Sequence, residues 1–461
     1  MGIVGAVLVP HPPLLLPEIG MGRESEIQST RNAYQKAAQK VAEWSPDLLV
    51  VISPHTAVYA DYFHISPGQA ARGDMSQFGA PQMQLQVTYD DLFVAELVHL
   101  AGEAGISAGS LGERDARLDH GTFIPLWFLQ NAGVHCPVVR VGLSGFPPSE
   151  HYRLGKCIAK TADTLGRRTV VIASGDLSHK LTKDGPYGFA PQGPEFDEQV
   201  TKAMKEGNFL HFLTLDPTFC NNAAECGLRS LQIMAGTLDG QAVNVQMLSY
   251  EGPFGVGYAV AVVTPIGTDE NRHFDLLYEK QEMERLTARR KAEDPWVQLA
   301  RQSLETYIRT GKRLHIPRGL PEELMEQTAG TFVSLHQFGR LRGCIGTVIP
   351  VTESVAQEII QNAISAGTED PRFPKVRPEE LASLEYSVDV LAPPEPVTSP
   401  ADLDVKQYGI IVTLGRRRGL LLPNLDGVDT VEQQIAIACQ KGGIDPREPY
   451  SLERFQVVRH V

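Results

Sequence analysis

The chain has 461 residues, enough for about two to three domains with separate cores. Its formal charge of −13 argues against nucleic acid or an anionic membrane surface as the main partner, because both reward clustered Lys and Arg. Six cysteines without a CxxC pair point to free thiols and a cytoplasmic location, and an apolar N-terminus broken by Pro10, Pro12, Pro13 and Pro17 argues against a signal peptide or spanning helix.

In chain order, the β-branched run from Ile3 to Val9 reads as a buried strand that runs into Pro10-His11-Pro12-Pro13. Ser25 to Trp44 places Ile27, Tyr34, Ala37, Ala38 and Val41 at helical spacing. Leu48 to Ile52 then reads as a strand leading into Ser53-Pro54-His55-Thr56. Phe93 to Ala104 has helical spacing, and His120, in Leu118-Asp119-His120-Gly121-Thr122, precedes a helix-like apolar segment. Pro137 to Gly142 reads as a strand and Ser149 to Leu165 as a helix. The next strand, from Val170, breaks at Gly175 and is followed at once by Asp176, Ser178 and His179. Helices are expected over Asp197 to Phe212 and Ala224 to Gly236, and closing strands over Val243 to Tyr250 and Gly255 to Val263. This alternation predicts an α/β domain over residues 1–266, with helices flanking a largely parallel or mixed sheet.

Residues 267–294 are dense in Glu, Lys and Arg with few apolar anchors, and read as a charged, partly helical linker. Asp294-Pro295 supplies a helix cap and a first-turn proline, and Trp296, Leu299, Ala300, Leu304, Tyr307 and Ile308 form one helical stripe. A second, smaller α+β domain is therefore expected over 295–461. Its parts are a hairpin from Thr331 to Thr347 turning at Gly339, a helix from Val355 to Ser365, strands at Glu385 to Leu391, Gly409 to Leu414 and Gly419 to Leu422, and a helix from Val431 to Cys439. Cys344, flanked by glycines, reads as a buried structural cysteine, with His336 on the facing strand its one nearby candidate base.

His11, His55 and His179 each follow a strand end and His120 precedes a helix, so the four can converge on the crevice at the C-terminal edge of the sheet. Such convergence is the basis of a metal or acid/base site. Two imidazoles need a third ligand, and Asn221-Asn222-Ala223-Ala224-Glu225-Cys226-Gly227 offers two. Glu225 would give an oxygen that suits Fe(II), whereas Cys226 would give a thiolate that favours zinc or copper. Alternatively Asn222 caps a helix with Glu225 at its third position.

Pro10-His11-Pro12, Ser53-Pro54-His55, Leu118-Asp119-His120-Gly121 and Ser174-Gly175-Asp176-Leu177-Ser178-His179 together resemble the class III extradiol dioxygenase superfamily, of the LigB-like catalytic subunit type with its Memo branch, over about residues 1 to 264. The resemblance implies His11 and His55 as metal ligands and Glu225 as the carboxylate ligand. It also implies His179 as the acid/base and His120 as a substrate-polarising histidine, with Fe(II) the cofactor and a small catechol-like aromatic the substrate. Asp176, with Cys226-Gly227, is closer to Memo proteins, which would bind metal or a protein partner without ring cleavage. Leu341-Arg-Gly-Cys-Ile-Gly346, Asp370-Pro-Arg-Phe-Pro374 and Arg418-Gly-Leu-Leu-Leu-Pro423 resemble the AMMECR family. The pair resembles the AmmeMemoRadiSam systems, which implies a radical-SAM protein on another chain, since no cluster-binding Cys triplet occurs here.

Overall fold

The computed structural model describes residues 2–338, 340–425 and 427–461. The chain forms two compact units, Met1–Gln281 and Glu282–Val461.

The first unit is built on strands β1 (Gly2–Val9), β2 (Leu48–Ser53), β3 (Val138–Gly142), β4 (Arg168–Ser174), β5 (Gln241–Glu251) and β6 (Tyr258–Thr268). Their order across the sheet is β3-β2-β4-β1-β6-β5. The first four run parallel, and β6 and β5 close the sheet antiparallel. Side chains alternate across a strand, and here both faces are covered. Ala6, Leu8, Val50, Ile52, Val171 and Ala173 enter one core. Val7, Val9, Leu49, Val51, Val170 and Ile172 enter the other. This is why the parallel strands read as continuous apolar runs.

Helices α1 (Gln28–Trp44), α2 (Asp91–Glu103), α3 (His120–Asn131), α4 (Pro148–Thr164), α5 (Gln192–Glu206) and α6 (Leu228–Thr237) flank the sheet. Two expected helices have other bounds than the sequence suggests, and α5 already starts at Gln192. Helix α5 stops at Gly207, which takes the left-handed conformation and closes the last turn. Helix α6 starts only at Leu228, because Ala224 has φ +53° and turns the chain. An antiparallel ribbon, Ala70–Met75 with Ala80–Thr88, was not anticipated.

The supposed linker is mostly helix α7 (Phe274–Ala292), and the boundary between the units falls inside it. Phe274 and Tyr278 pack into the first unit's core, while Arg285 and Arg289 both donate to Glu385 of the second unit, at 2.5 Å. Spaced apolar anchors and long-range ion pairs hold a segment that looks uniformly charged.

The second unit has α8 (Pro295–Thr310), capped by Asp294, which accepts from the backbone N–H of Trp296 and Val297, and α9 (Val355–Thr368). These cover one face of an antiparallel sheet of β7 (Thr331–Gln337), β8 (Arg340–Gly346), β9 (Leu384–Leu391) and, at its far edge, β13 (Val457–His460). A second sheet joins β10 (Gly409–Leu414), β11 (Arg417–Leu421) and β12 (Ser451–Phe455), with α10 (Val431–Gly442) against it. The mixture is α+β, as expected. The turn expected at Gly339 lies outside the described residues. Among those described, no helix is long and apolar enough to cross a membrane.

Candidate metal centre

Three parallel strands and one helix start deliver the site. His11 follows β1, His55 follows β2, Asp176 and His179 follow β4, and His120 opens α3. His55 Nε2 lies 3.0 Å from His11 Nε2. The His120 ring centroid is 4.0 Å from that of His55 and 5.3 Å from that of His11. One nitrogen from each of the three imidazoles lies within 4.8 Å of the others, which makes them a group able to hold a metal ion. His11 is buried, His120 half-buried and His55 the most exposed.

The protonation states suit that role. Burial, aided by the charge His55 would carry, pushes His11 down to about 3. Burial, with His55 and His11, does the same to His120, also to about 3. Desolvation lowers His55 too. All three rings are neutral at pH 7, so each has one nitrogen lone pair to offer a metal.

The tautomer of His11 is set by its neighbour. Ser174 donates its only hydroxyl proton to the Gly121 carbonyl, at 2.6 Å, and so can only accept from His11 Nδ1, 3.0 Å away. His11 therefore carries its proton on Nδ1 and leaves Nε2 bare toward the cluster, the outer-layer arrangement typical of metal-ligating histidines.

Asp119 supplies the negative charge behind the rings. It caps α3 and accepts from the Ser53 hydroxyl at 2.6 Å, the Thr56 hydroxyl at 3.0 Å, and the N–H and hydroxyl of Thr122 at 3.0 and 2.8 Å. Burial alone would raise its pKa, but these hydrogen bonds and the charge of Arg140 outweigh burial and hold it below its ordinary value. Asp119, Arg140 and Ser174 carry roles that strand and helix patterns do not reveal; the one signal was Asp119 standing in a capping position.

The remaining expected site residues fall as follows. Asp176 is buried, and its carboxylate accepts the backbone N–H of His11 at 2.9 Å; it fixes the chain at His11 and does not line the cavity. His179 donates from Nδ1 to the Ala224 carbonyl, so its lone pair is on Nε2, and its ring meets Tyr187 edge-on.

Glu225, expected as the oxygen ligand, is not in the imidazole group. Its Oε2 accepts the N–H of Leu228 at 2.7 Å, so it serves the N-terminus of α6 where Gly227 has no side chain to do so. Asn222, considered as that cap, lies in the short helix Pro217–Ala223. Glu225 and Cys226 both lie in the loop before α6. Cys226 Sγ is 3.8 Å from His11 Nε2 and accepts from the Asp176 N–H at 3.3 Å. The close approach depends on glycine: a Cβ on Gly175 would sit 2.2 Å from Gly227 Cα.

A cavity of about 450 Å³ opens beside the imidazoles, lined among others by His55, Leu118, Asp119, His120, Arg114 and Arg140. It gives the cluster access to a small molecule.

Protein CA_C1420 of Clostridium acetobutylicum is 39% identical over 468 residues, covering 100% of this chain and 99% of that one. A protein of Thermotoga maritima is 49% identical over 170 residues, covering 36% of this chain and 98% of its own. The crystal structure of uncharacterized protein PH0010 from Pyrococcus horikoshii is 34% identical, covers 36% of this chain and 88% of that chain, and aligns with a TM-score of 0.34. The AMMECR1 family profile matches residues 297–460, and the profile described as the catalytic LigB subunit of aromatic ring-opening dioxygenase matches residues 5–261. The chain thus belongs to the LigB family, with an AMMECR1 domain fused behind it.

Proposed function

We propose that the first unit is a metal-dependent, extradiol-dioxygenase-like oxidoreductase acting on a small catechol-like aromatic, with Fe(II) as the ion. The observation that carries this reading is the group of three neutral imidazoles beside a cavity of small-molecule size. His11, His55 and His120 would hold the ion, with Asp119 compensating its charge from behind. When bound, the ion supplies Lewis acidity and, as Fe(II), electrons for dioxygen. The chain's own contribution is orientation and proton transfer. Ser174 fixes the His11 tautomer, and Asp176 fixes the backbone at His11. His179, bare at Nε2, takes the proton from an aromatic hydroxyl and returns it later.

Anaerobic reconstitution with Fe(II), then aerobic turnover of catechols followed by oxygen uptake and ring-opened product, tests this. Uptake no faster than from free Fe(II) would refute it. One contact favours a second reading, a Memo-like metal or protein-interaction module without ring cleavage: Cys226 Sγ near His11 Nε2 is a soft ligand in waiting for zinc or copper. Burial first, then Asp176 and Glu225, hold that thiol well above its ordinary pKa, so a metal would have to displace its proton. A radical-SAM protein on a separate chain is proposed as the partner, and co-purification with the full chain tests it.

A further inference from the structure

In the second unit the β7–β9 sheet has two unlike faces. Val333, Leu335, Tyr386 and Val388 point into the core against α8 and α9. The alternate positions are mostly polar and line a cavity of about 940 Å³: Ser334, His336, Cys344, Glu385, Ser387 and Asp389. Cys344, Ser334 and Ser387 stand in one register row across three strands. The opposite wall is apolar, made by Leu420, Leu422 and Leu425, and Leu420 and Leu422 pack against Phe332, which stands on β7 on the same face as Ser334 and His336. Two sheets packed for stability alone would meet through apolar side chains. Here an apolar cluster with Leu391, Ile411, Phe455 and Phe332 joins them, and beside it they part around a polar floor.

The charge of the lining is lopsided. Arg289, Arg372, Lys441 and Arg459 face Glu385 and Asp389, an excess of positive charge within a chain of −13 overall. The carboxylates are already matched: Glu385 by Arg285 and Arg289, and Asp389 by both ends of Arg459 at 2.7 and 3.1 Å. Arg372 is held by Asp370, which stands behind the wall. Lys441 has no ion pair among the described residues and is exposed. Cys344, expected to be buried, is half-buried, with its Sγ 3.2 Å from the Ser334 hydroxyl. Burial raises its pKa, so it presents a neutral thiol.

We propose that this cavity is a binding site for a small organic anion, a carboxylate or phosphate carried on an apolar body. The anionic group sits toward Lys441, Arg372 and Arg459, and the apolar body lies against Leu420, Leu422 and Phe332, above the Cys344–Ser334–Ser387 row. This site is separate from the imidazole group and does not depend on the function proposed for it.

Calorimetric titration of the full chain with benzoate, phenyl phosphate and phenol tests the proposal. Saturable binding of one or both anions with phenol silent is expected, and which anion binds distinguishes carboxylate from phosphate. Lys441→Gln leaves no buried partner behind and should weaken binding about two- to fivefold. Ser387→Trp fills the floor and should abolish it. Absence of saturable binding by both anions, equal binding of phenol, or unchanged affinity in Lys441→Gln would each overturn the proposal. Should Ser387→Trp fail to fold by circular dichroism, Lys441→Gln alone decides.

Discussion

Replacing Asp119 by Asn keeps the side chain's shape and removes its charge. Oδ1 accepts from Ser53 and from the Thr122 N–H, and Oδ2 from the hydroxyls of Thr56 and Thr122. The backbone N–H cannot turn round, so the amide must present its oxygen there and its NH2 to the two threonine hydroxyls, which can rotate to accept. Four charge-assisted hydrogen bonds become neutral ones, each weaker by about 0.5–1 kcal/mol, partly offset because an amide is cheaper to desolvate. Buried Arg140, 3.9 Å away, also loses a countercharge and keeps Glu113 at 3.2 Å. The net expectation is about 2–3 kcal/mol, or a fall in melting temperature of roughly 5–10 °C for a unit of this size. Because the folded-state pKa lies below the ordinary 3.8, this stability is present above that value and lost as the pH falls through the folded pKa. The gap between wild type and variant should therefore close below about pH 4. Loss of the charge behind three neutral rings should weaken metal binding about 10- to 100-fold. Thermal melts from pH 3 to 7 and competition titrations with a metal chelator measure both. Melting within 1–2 °C of wild type at pH 7, with metal affinity unchanged, would refute the argument.

If His179 is the proposed acid/base, His179→Ala should keep the metal while lowering turnover about a hundred- to ten-thousandfold, since its Nδ1 is tied to Ala224 and only Nε2 is left to move a proton; metal loss equal to that of His11→Ala would make it a ligand instead. Glu225→Ala should retain metal and cost about 1 kcal/mol through the lost contact with Leu228, measured by denaturant titration, whereas an empty site would restore Glu225 as a ligand. In the same comparison Cys226→Ser should shift preference away from zinc and copper, which metal analysis of the purified variant reads directly. A fragment starting at residue 295 should be less stable than one starting at 282 by about 1–3 kcal/mol, because it strips Arg285 and Arg289 from Glu385; identical denaturation midpoints would mean those ion pairs contribute nothing.

The parallel sheet was legible because both its faces are covered, which turns strands such as Leu48–Ser53 into plain apolar runs. The four histidines stood out because each adjoins such an element, and three of them meet. The placement of Glu225 and Cys226 was not legible. It rests on the positive φ of Ala224 and on Gly175 touching Gly227, neither of which a helical wheel contains. Asp119 and Arg140 were hidden for another reason: their roles come from partners 66 and 27 positions away, Ser53 and Glu113, and no local pattern carries such pairings. Helix α7 was legible in part as helix but not in its anchoring, since three buried anchors, Phe274, Tyr278 and Leu286, are sparse among its charges.

The contacts that join His11 to Ser174 and to Cys226 span 163 and 215 residues. A ribosome releases the chain from its N-terminus, so His11 and His55 emerge long before the serine that sets one tautomer and the sulfur that completes the surroundings. An emerging chain that ends before Ser174 has histidines but no assembled pocket, and any metal it captures is held by loose, flexible rings. Tight capture is thus a late event that requires β4 to have paired between β1 and β2. Metal retention by chains truncated after residue 165 and after residue 281 would expose the difference: weak in the first, and near that of the whole protein in the second.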